Sequence, residues 1–301
     1  MDATTLQHLP KQQVALLVQL IQKIVLAVYP VKIICYGYRT STIDGWSCFF
    51  DGDAYNKSIN PTYDFLIITN DEEKRAHYEI IEIAEQQAYP LGCNTTIIVQ
   101  QLNAANKALE SGSRFISTVY RKGVMLYNGN CLPLSAPPEE LDIPVLRSLI
   151  EGDWHRRFSM SRRFLKTANY CFDNGWNEQT IFDLHQSVEH ACVAIIRVYI
   201  GFRPTTHNLS RLLDLICNFS QELVTIFPRQ TKEETDLFNT LNRAYSEARY
   251  NEKYTVSIEV TKILLGRVTT LLDLAEKFYD RKQISLESSQ PISFPLTVNN
   301  Q

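Results

Sequence analysis

From residue 140 onward the apolar residues fall on helical repeats, and this constrains the fold of the chain more than any other feature. Ile181, Leu184, Val188, Ala191, Ile195 and Val198 recur every three or four residues, so one stripe of that segment is buried. His185, Gln186, Glu189 and His190 lie off the stripe and are expected to face water. An earlier segment carries Leu146, Leu149, Ile150, Trp154 and Phe158 behind Asp142 and Pro144, an N-cap residue and a first-turn proline. Thr231-Lys-Glu-Glu234 has the capping-box pattern and opens a stripe of Leu237, Phe238, Leu241, Ala244, Tyr245 and Ala248. A last repeat uses Val260, Ile263, Leu264, Val268, Leu271, Leu274 and Phe278. Stripes of this kind are satisfied against one another, which predicts an antiparallel bundle of about five helices over 140–282. The segment 283–301, rich in Ser, Gln, Pro and Asn, is expected to be a disordered tail.

The first 133 residues follow a different grammar. Lys11 to Val28 reads as a helix with Leu16, Leu17, Leu20, Ile21, Ile24 and Val25 on its apolar face, closed by Pro30. Lys32–Tyr36, ending at Gly37, Thr62–Thr69 and Thr95–Gln100 read as strands, with a long polar excursion between the first two. Asp71–Gln87 and Arg114–Lys122 read as helices, the second running into Gly123-Val-Met-Leu-Tyr127. Strands separated by helices predict an α/β domain over 1–133, and Pro137-Pro138 ends it before the bundle.

A chain of 301 residues is long enough for two cores, and 45% hydrophobic with 21% charged residues is a globular composition. A net charge of -3 excludes a protein that coats nucleic acid through its overall field, so any such contact is local. The seven cysteines are scattered and never spaced Cys-x-x-Cys, as expected of small core residues in a reducing compartment. The apolar run Val14–Val28 is interrupted by Gln19, Gln22 and Lys23, an amphipathic helix rather than a membrane span. A cytoplasmic protein without a membrane partner is expected.

Three segments carry the functional signal: Leu184-His-Gln-Ser-Val-Glu-His-Ala-Cys192, Phe202-Arg-Pro-Thr-Thr-His207-Asn-Leu209 and Ala248-Arg-Tyr-Asn-Glu-Lys-Tyr254. In this order they resemble the HEPN domain. The resemblance implies a helical bundle associated with nucleotide binding or RNA cleavage, pairing into a homodimer with its cleft between the two copies. Upstream, Gly37-Tyr-Arg-Thr-Ser41, Tyr63-Asp64-Phe-Leu-Ile-Ile68 and Phe115-Ile-Ser-Thr-Val-Tyr-Arg-Lys-Gly123-Val-Met-Leu-Tyr127 are similar to small nucleotidyltransferases of the polymerase-beta type fused to HEPN. That likeness spans residues 20–130. It implies a nucleoside triphosphate as ligand and Mg as cofactor, with Gly37, Arg39, Thr40 and Ser41 at the phosphates and Asp64 at the metal.

Both reaction centres are incomplete. Nucleotidyl transfer needs two cations held close together, and active members place carboxylates at i and i+2 because those strand positions share a face. Here the pair is Asp64 and Leu66, and Thr95-Thr-Ile-Ile-Val-Gln100 supplies no acid. Tyr38 replaces the expected serine, and Asp44, Asp51 and Asp53 in the excursion are the remaining acids in reach. Without such help, Asp64 is a structural residue bonding a backbone amide and Arg39 a surface arginine.

RNA-cleaving HEPN proteins carry an arginine followed a few residues later by a histidine, a pair that polarises the scissile phosphate and moves a proton. In Arg249-Tyr-Asn-Glu-Lys-Tyr254 a tyrosine stands in the histidine place, and an ordinary phenol is a poor base at neutral pH. Arg203 and His207 are a second Arg and His, either contacting phosphate or, for His207, serving locally at a helix start. His185 and Glu189 are spaced for a surface hydrogen bond. His155-Arg-Arg157, Arg162-Arg163 and Lys166 form a basic run, a solvated face or an RNA-tracking patch with Trp154, Phe158 or Tyr170 for stacking. The residues favour a non-catalytic or weakly catalytic nucleotide- or RNA-binding protein with Arg249, Tyr254, Arg203 and His207 at the cleft. The alternatives are an active nucleotidyltransferase acting on a small-molecule, RNA or protein hydroxyl, and a HEPN ribonuclease.

Overall fold

The computed structural model describes residues 11–39, 44–47, 54–55, 61–129 and 132–288. Its amino-terminal half is a mixed sheet of β1 (Lys32–Arg39), β2 (Asp44–Ser47), β3 (Ala54–Tyr55), β4 (Thr62–Thr69), β5 (Asn94–Gln101) and β6 (Val124–Asn128). The strand order is β3-β2-β1-β4-β5, with β6 on the first half of β1. Only β4 and β5 run parallel among these pairs. The helix α1 (Lys11–Val28) and α2 (His77–Gln86) cover one face of the sheet, where Leu20, Ile24 and Ile80 pack on Ile33, Phe65 and Ile67. Alternation sends Ile34, Leu66, Ile68 and Ile98 to the other face, toward α3 (Leu102–Glu110) and α4 (Arg114–Lys122).

Two details of this half depart from the sequence reading. β1 does not end at Gly37 but continues to Arg39, with a register shift between Cys35 and Gly37. The charged stretch before α2 is not helical: residues 71–76 form turns whose side chains serve neighbouring helices. Asp71 accepts from the Asn103 amide at the start of α3, and Arg75 donates to the Val28 carbonyl that ends α1. Those orphan groups at helix ends need partners, and the turn supplies them.

The carboxy-terminal half is all helical: α5 (Ile143–Asp173), α6 (Asn177–Ile200), α7 (Leu209–Ile216), α8 (Lys232–Tyr250) and α9 (Ile258–Ser288). Pro144 sits in the first turn of α5 as expected, although the Asp142 carboxylate makes no cap hydrogen bond. Thr231 and Glu234 close the capping box of α8 reciprocally. α9 runs to Ser288, past the expected start of the tail, because Leu286 is buried and Glu287 pairs with Arg147 at 2.8 Å.

α6 is the axis of the bundle and packs against α5, α7, α8 and α9. This overturns the expectation that His185, Gln186, Glu189 and His190 face water. His185 is fully buried and the other three are half-buried, because neighbours cover the side opposite the Ile181–Val198 stripe as well. Nor are the two cores separate. Ile34, Leu66, Ile98 and Phe115 belong to the same apolar cluster as Ile150, Ile195 and Leu212, and Phe115 meets Phe202 with ring centroids 5.0 Å apart. Cys35, Cys93, Cys171 and Cys192 are buried thiols within these cores. Among the described residues, no helix is long and apolar enough to cross a membrane.

Candidate functional site

The fold builds two polar centres, one in the sheet and one in the bundle. In the sheet, the register places Gly37 opposite Asp64, so Arg39 and Asp64 project to the same face, toward α7. Arg39 donates from Nη1 and Nη2 to the two Asp64 oxygens at 2.8 and 2.9 Å. Asp64 has no exposure and Arg39 is 6% exposed, a fully desolvated bidentate pair. Burial works against the Arg39 cation, but the adjacent Asp64 outweighs it and raises the guanidinium pKa.

This arrangement bears on the metal and phosphate expectations for Asp64 and Arg39. Asp64 faces a guanidinium where a cation would be bound, its i+2 neighbour is Leu66, and its cross-strand neighbour on β5 is Thr96. Among the described residues, the donor set does not fit a two-cation site, which needs several anionic oxygens. Arg39 is a strand residue committed to Asp64 rather than a loop residue presented to phosphate. Tyr38, in the place of the expected serine, points into the core beneath α1 and α2. Thr40, Ser41, Asp51 and Asp53, and the side chain of Asp44, lie outside the described residues.

Beyond the pair a cavity of about 570 Å³ separates the sheet from α7, and its arginines already have carboxylates. Arg211 of α7 holds Glu85 of α2 through two bonds of 3.0 and 2.8 Å, and Arg229 lies 3.9 Å from Asp214. The cleft is therefore lined by internal ion pairs that tie the two halves together.

The bundle centre is organised around Glu189 on α6. His207, in the loop before α7, contacts Glu189 Oε2 through Nδ1 at 3.0 Å. His185 Nε2 approaches the same oxygen at 3.6 Å, while its Nδ1 lies 3.0 Å from the Leu241 carbonyl. A carbonyl only accepts, so His185 donates from Nδ1, and its Nε2 turns toward the carboxylate. Burial pushes the Glu189 pKa up, but the neighbouring His185 and His207 outweigh it and hold it below the usual value. The His207 ring stacks on Tyr245 at 4.4 Å, and the Arg249 guanidinium lies 5.0 Å from the Tyr245 ring centroid and 5.1 Å from that of Tyr250.

Two more arginines converge here. Burial lowers the Arg157 pKa, and the nearby charges of Arg203 and Arg197 lower it further, while Glu189 opposes them. His190 stacks on Phe164 at 5.5 Å, and burial lowers its pKa, with Glu189 raising it and Arg157 lowering it. Four buried atoms of this neighbourhood have no hydrogen-bond partner among the described residues: Arg157 Nε, His185 Nε2, Gln186 Nε2 and His190 Nδ1. Orphaned polar atoms are costly, and their concentration here singles this neighbourhood out as the candidate site.

Of the residues expected at the cleft, Arg249, His207 and Arg203 are thus brought to one region. Tyr254 is not. Its hydroxyl donates to the Thr240 carbonyl at 3.3 Å, and Thr240 lies about half a helical turn around α8 from Arg249. Burial first, then Glu247 and Glu178, push the Tyr254 phenol up to about 12. The basic run on α5 also disperses. Arg162 pairs with Glu276, and Trp154 and Phe158 stack on each other in the core at 4.0 Å, leaving only Tyr170 exposed. Glu189, Tyr245 and Arg157 were missed as site residues. The signal was the His185–Glu189 spacing on a helix with apolar residues on more than one side, which argues for burial rather than a solvated face.

Residues 154–284 match the HEPN domain family, a span from Trp154 in α5 to Ile284 in α9. A nucleotidyltransferase-like protein from Exiguobacterium sibiricum is similar over 91% of this chain and 80% of its own, at 12% identity and a TM-score of 0.29. No curated protein matches the chain.

Proposed function

With residues 154–284 forming a HEPN domain, we propose that the protein binds nucleotide or RNA phosphate on that domain and that its nucleotidyltransferase-like half performs no nucleotidyl transfer. The observation that carries this reading is the buried Arg39–Asp64 pair, in which a fixed guanidinium takes both oxygens of the one carboxylate retained on β4. Admitting a metal would require ejecting Arg39 from a desolvated site and finding further anions on a strand face that offers Leu66 and Thr96.

On the bundle, Arg157, Arg203 and Arg249 supply positive charge and directed N–H donors for phosphate oxygens. His207 is held between Glu189 and the Tyr245 ring, so its orientation is set before a ligand arrives. Glu189 fixes the histidines and also repels phosphate from the floor of the site, which keeps the anion at the arginine rim. Phosphodiester cleavage is not favoured: Arg249 and Tyr254 face different sides of α8, and a phenol pushed up to about 12 is a poor base. Pairing of two copies through the helical domain is part of the proposal and predicts a dimer in sedimentation at micromolar concentration.

Binding of a fluorescent oligoribonucleotide and of a fluorescent nucleotide to the full chain tests the reading, with pyrophosphate release measured alongside. Retention of either ligand, weakened in Arg157→Gln and Arg249→Gln, is expected without pyrophosphate release. Failure to bind either ligand would refute the binding claim. Pyrophosphate release that depends on Mg would refute the loss of transfer.

A further inference from the structure

A second cavity of about 580 Å³ lies between the halves of the molecule, lined by α4, the 138–141 connection, the start of α5 and the end of α6. It shares no lining residue with the sheet cleft or with the Glu189 cluster. Its two sides differ in chemistry. Arg114, Ser117, Arg121 and Lys122 of α4 line it on one side; Leu141, Leu146, Leu149, Ile150 and Ile200 form an aliphatic wall, with Glu139, Glu140 and Lys282 also in the lining.

Arg114 forms no ion pair among the described residues. Its Nη2 donates to the Arg197 and Val198 carbonyls at the end of α6, but among the described residues no carboxylate lies within ion-pair distance of it. The nearby Asp153 is bonded to Arg197 instead. Burial lowers the Arg114 pKa to about 10, with Asp153 raising it and Arg197 lowering it. The chain comes close here because Gly201, at φ +71°, ends α6: a Cβ at that position would meet Arg114 Nε at 2.7 Å. Ser117, 5% exposed, has a hydroxyl with no hydrogen-bond partner among the described residues. A guanidinium without an ion pair and a hydroxyl without a partner among the described residues, one helical turn apart, are donors of the kind an anionic head group takes.

The opposite wall indicates what is attached to that head group. Leu141 and Leu149 are 43% and 49% exposed, an unusual cost for aliphatic side chains beside a concave surface. No aromatic face is available for a nucleobase. Tyr199, the one ring in the lining, is stacked on Phe219 at 4.6 Å and donates its hydroxyl to the Phe278 carbonyl. Arg121, at the rim, is held by Glu140 at 3.6 Å and by the Pro138 carbonyl, so it shapes the entrance rather than adding a second anion site.

We infer that this cavity binds a single-headed anionic amphiphile, its carboxylate or phosphate on Arg114 and Ser117 and its aliphatic chain against Leu141, Leu146, Leu149 and Ile150. The site is separate from phosphate binding on the bundle and does not depend on it.

Thermal denaturation and calorimetric titration of the full chain with decanoate, decyl phosphate and decanol, each below its aggregation concentration, test the assignment. Saturable binding of at least one anion is expected, with a rise in Tm, and at least tenfold weaker binding of decanol. The stronger of the two anions identifies the head group. Leu149→Glu places a negative charge at an exposed position in the wall without cutting into the core, and is expected to weaken the anion at least tenfold. Ser117→Ala is expected to weaken it less. Equal binding of decanol and the anions, no binding of either anion, or unchanged affinity in Leu149→Glu would overturn the inference.

Discussion

The Arg39–Asp64 pair and the Glu189 cluster are both buried polar centres, yet they are finished to different degrees. In the sheet, both carboxylate oxygens receive a donor and the pair is buried. In the bundle, one carboxylate organises two histidines while four neighbouring atoms remain unbonded among the described residues. A completed network stabilises and specifies a fold, whereas an incomplete one holds bonding capacity for something else. On the proposed reading the difference assigns structure to the sheet and recognition to the bundle, the reverse of what a nucleotidyltransferase with a helical accessory domain would require.

The largest expected effect breaks the sheet centre. Asp64→Ala strands a desolvated Arg39 and is expected to cost about 3–5 kcal/mol in urea denaturation, while Arg39→Met with Asp64→Leu recovers most of that loss. If Asp64 were an accessible metal ligand instead, Asp64→Ala would cost little stability. Next in size, Arg249→Gln should lower oligoribonucleotide affinity about tenfold and flatten its salt dependence by about one charge, without the collapse expected of Asp64→Ala. Tyr254→Phe should leave that affinity unchanged and cost about 0.5–1.5 kcal/mol of stability, since it removes one hydrogen bond to the Thr240 carbonyl.

The smallest effects concern pH. Burial lowers the His190 pKa from 6.5, so its contribution to stability is present above that value and is lost as pH falls through the lowered one. His190→Phe should flatten the acid limb of a stability profile. In the alkaline limb, burial and then Glu189 raise Cys192 from 9.0 to about 12. Its contribution is present below pH 9.0 and is lost as pH rises toward 12, and Cys192→Ala should flatten that side.

The helices were legible because their apolar spacing and caps are local properties: Thr231 and Glu234 bond as their separation implies, and Pro144 lies in a first turn. What the helices contact was not. The burial of His185 depends on α8 arriving with the Leu241 carbonyl, a contact 56 residues away in the chain. Asp64 was legible as the one carboxylate on its strand, but its partner was not, because Gly37 reads as a strand end and the register shift before it carries β1 on to Arg39. Likewise Arg249 and Tyr254 have a motif-like separation, and only the direction of the chain after α8 shows that their side chains diverge. Nothing in the sequence marked Arg114 and Ser117 as lining a cavity, since the space between them and α5 arises from the packing of the two halves.

The central claim is that Asp64 is committed to Arg39 and unavailable to a metal, and nucleotide affinity with and without Mg tests it most directly. Titration of the full chain with a fluorescent nucleoside triphosphate is predicted to show affinity in EDTA equal to, or tighter than, that in saturating Mg. Affinity at least tenfold tighter with Mg, a gain of about 1.4 kcal/mol that disappears in Asp64→Asn, would contradict the account.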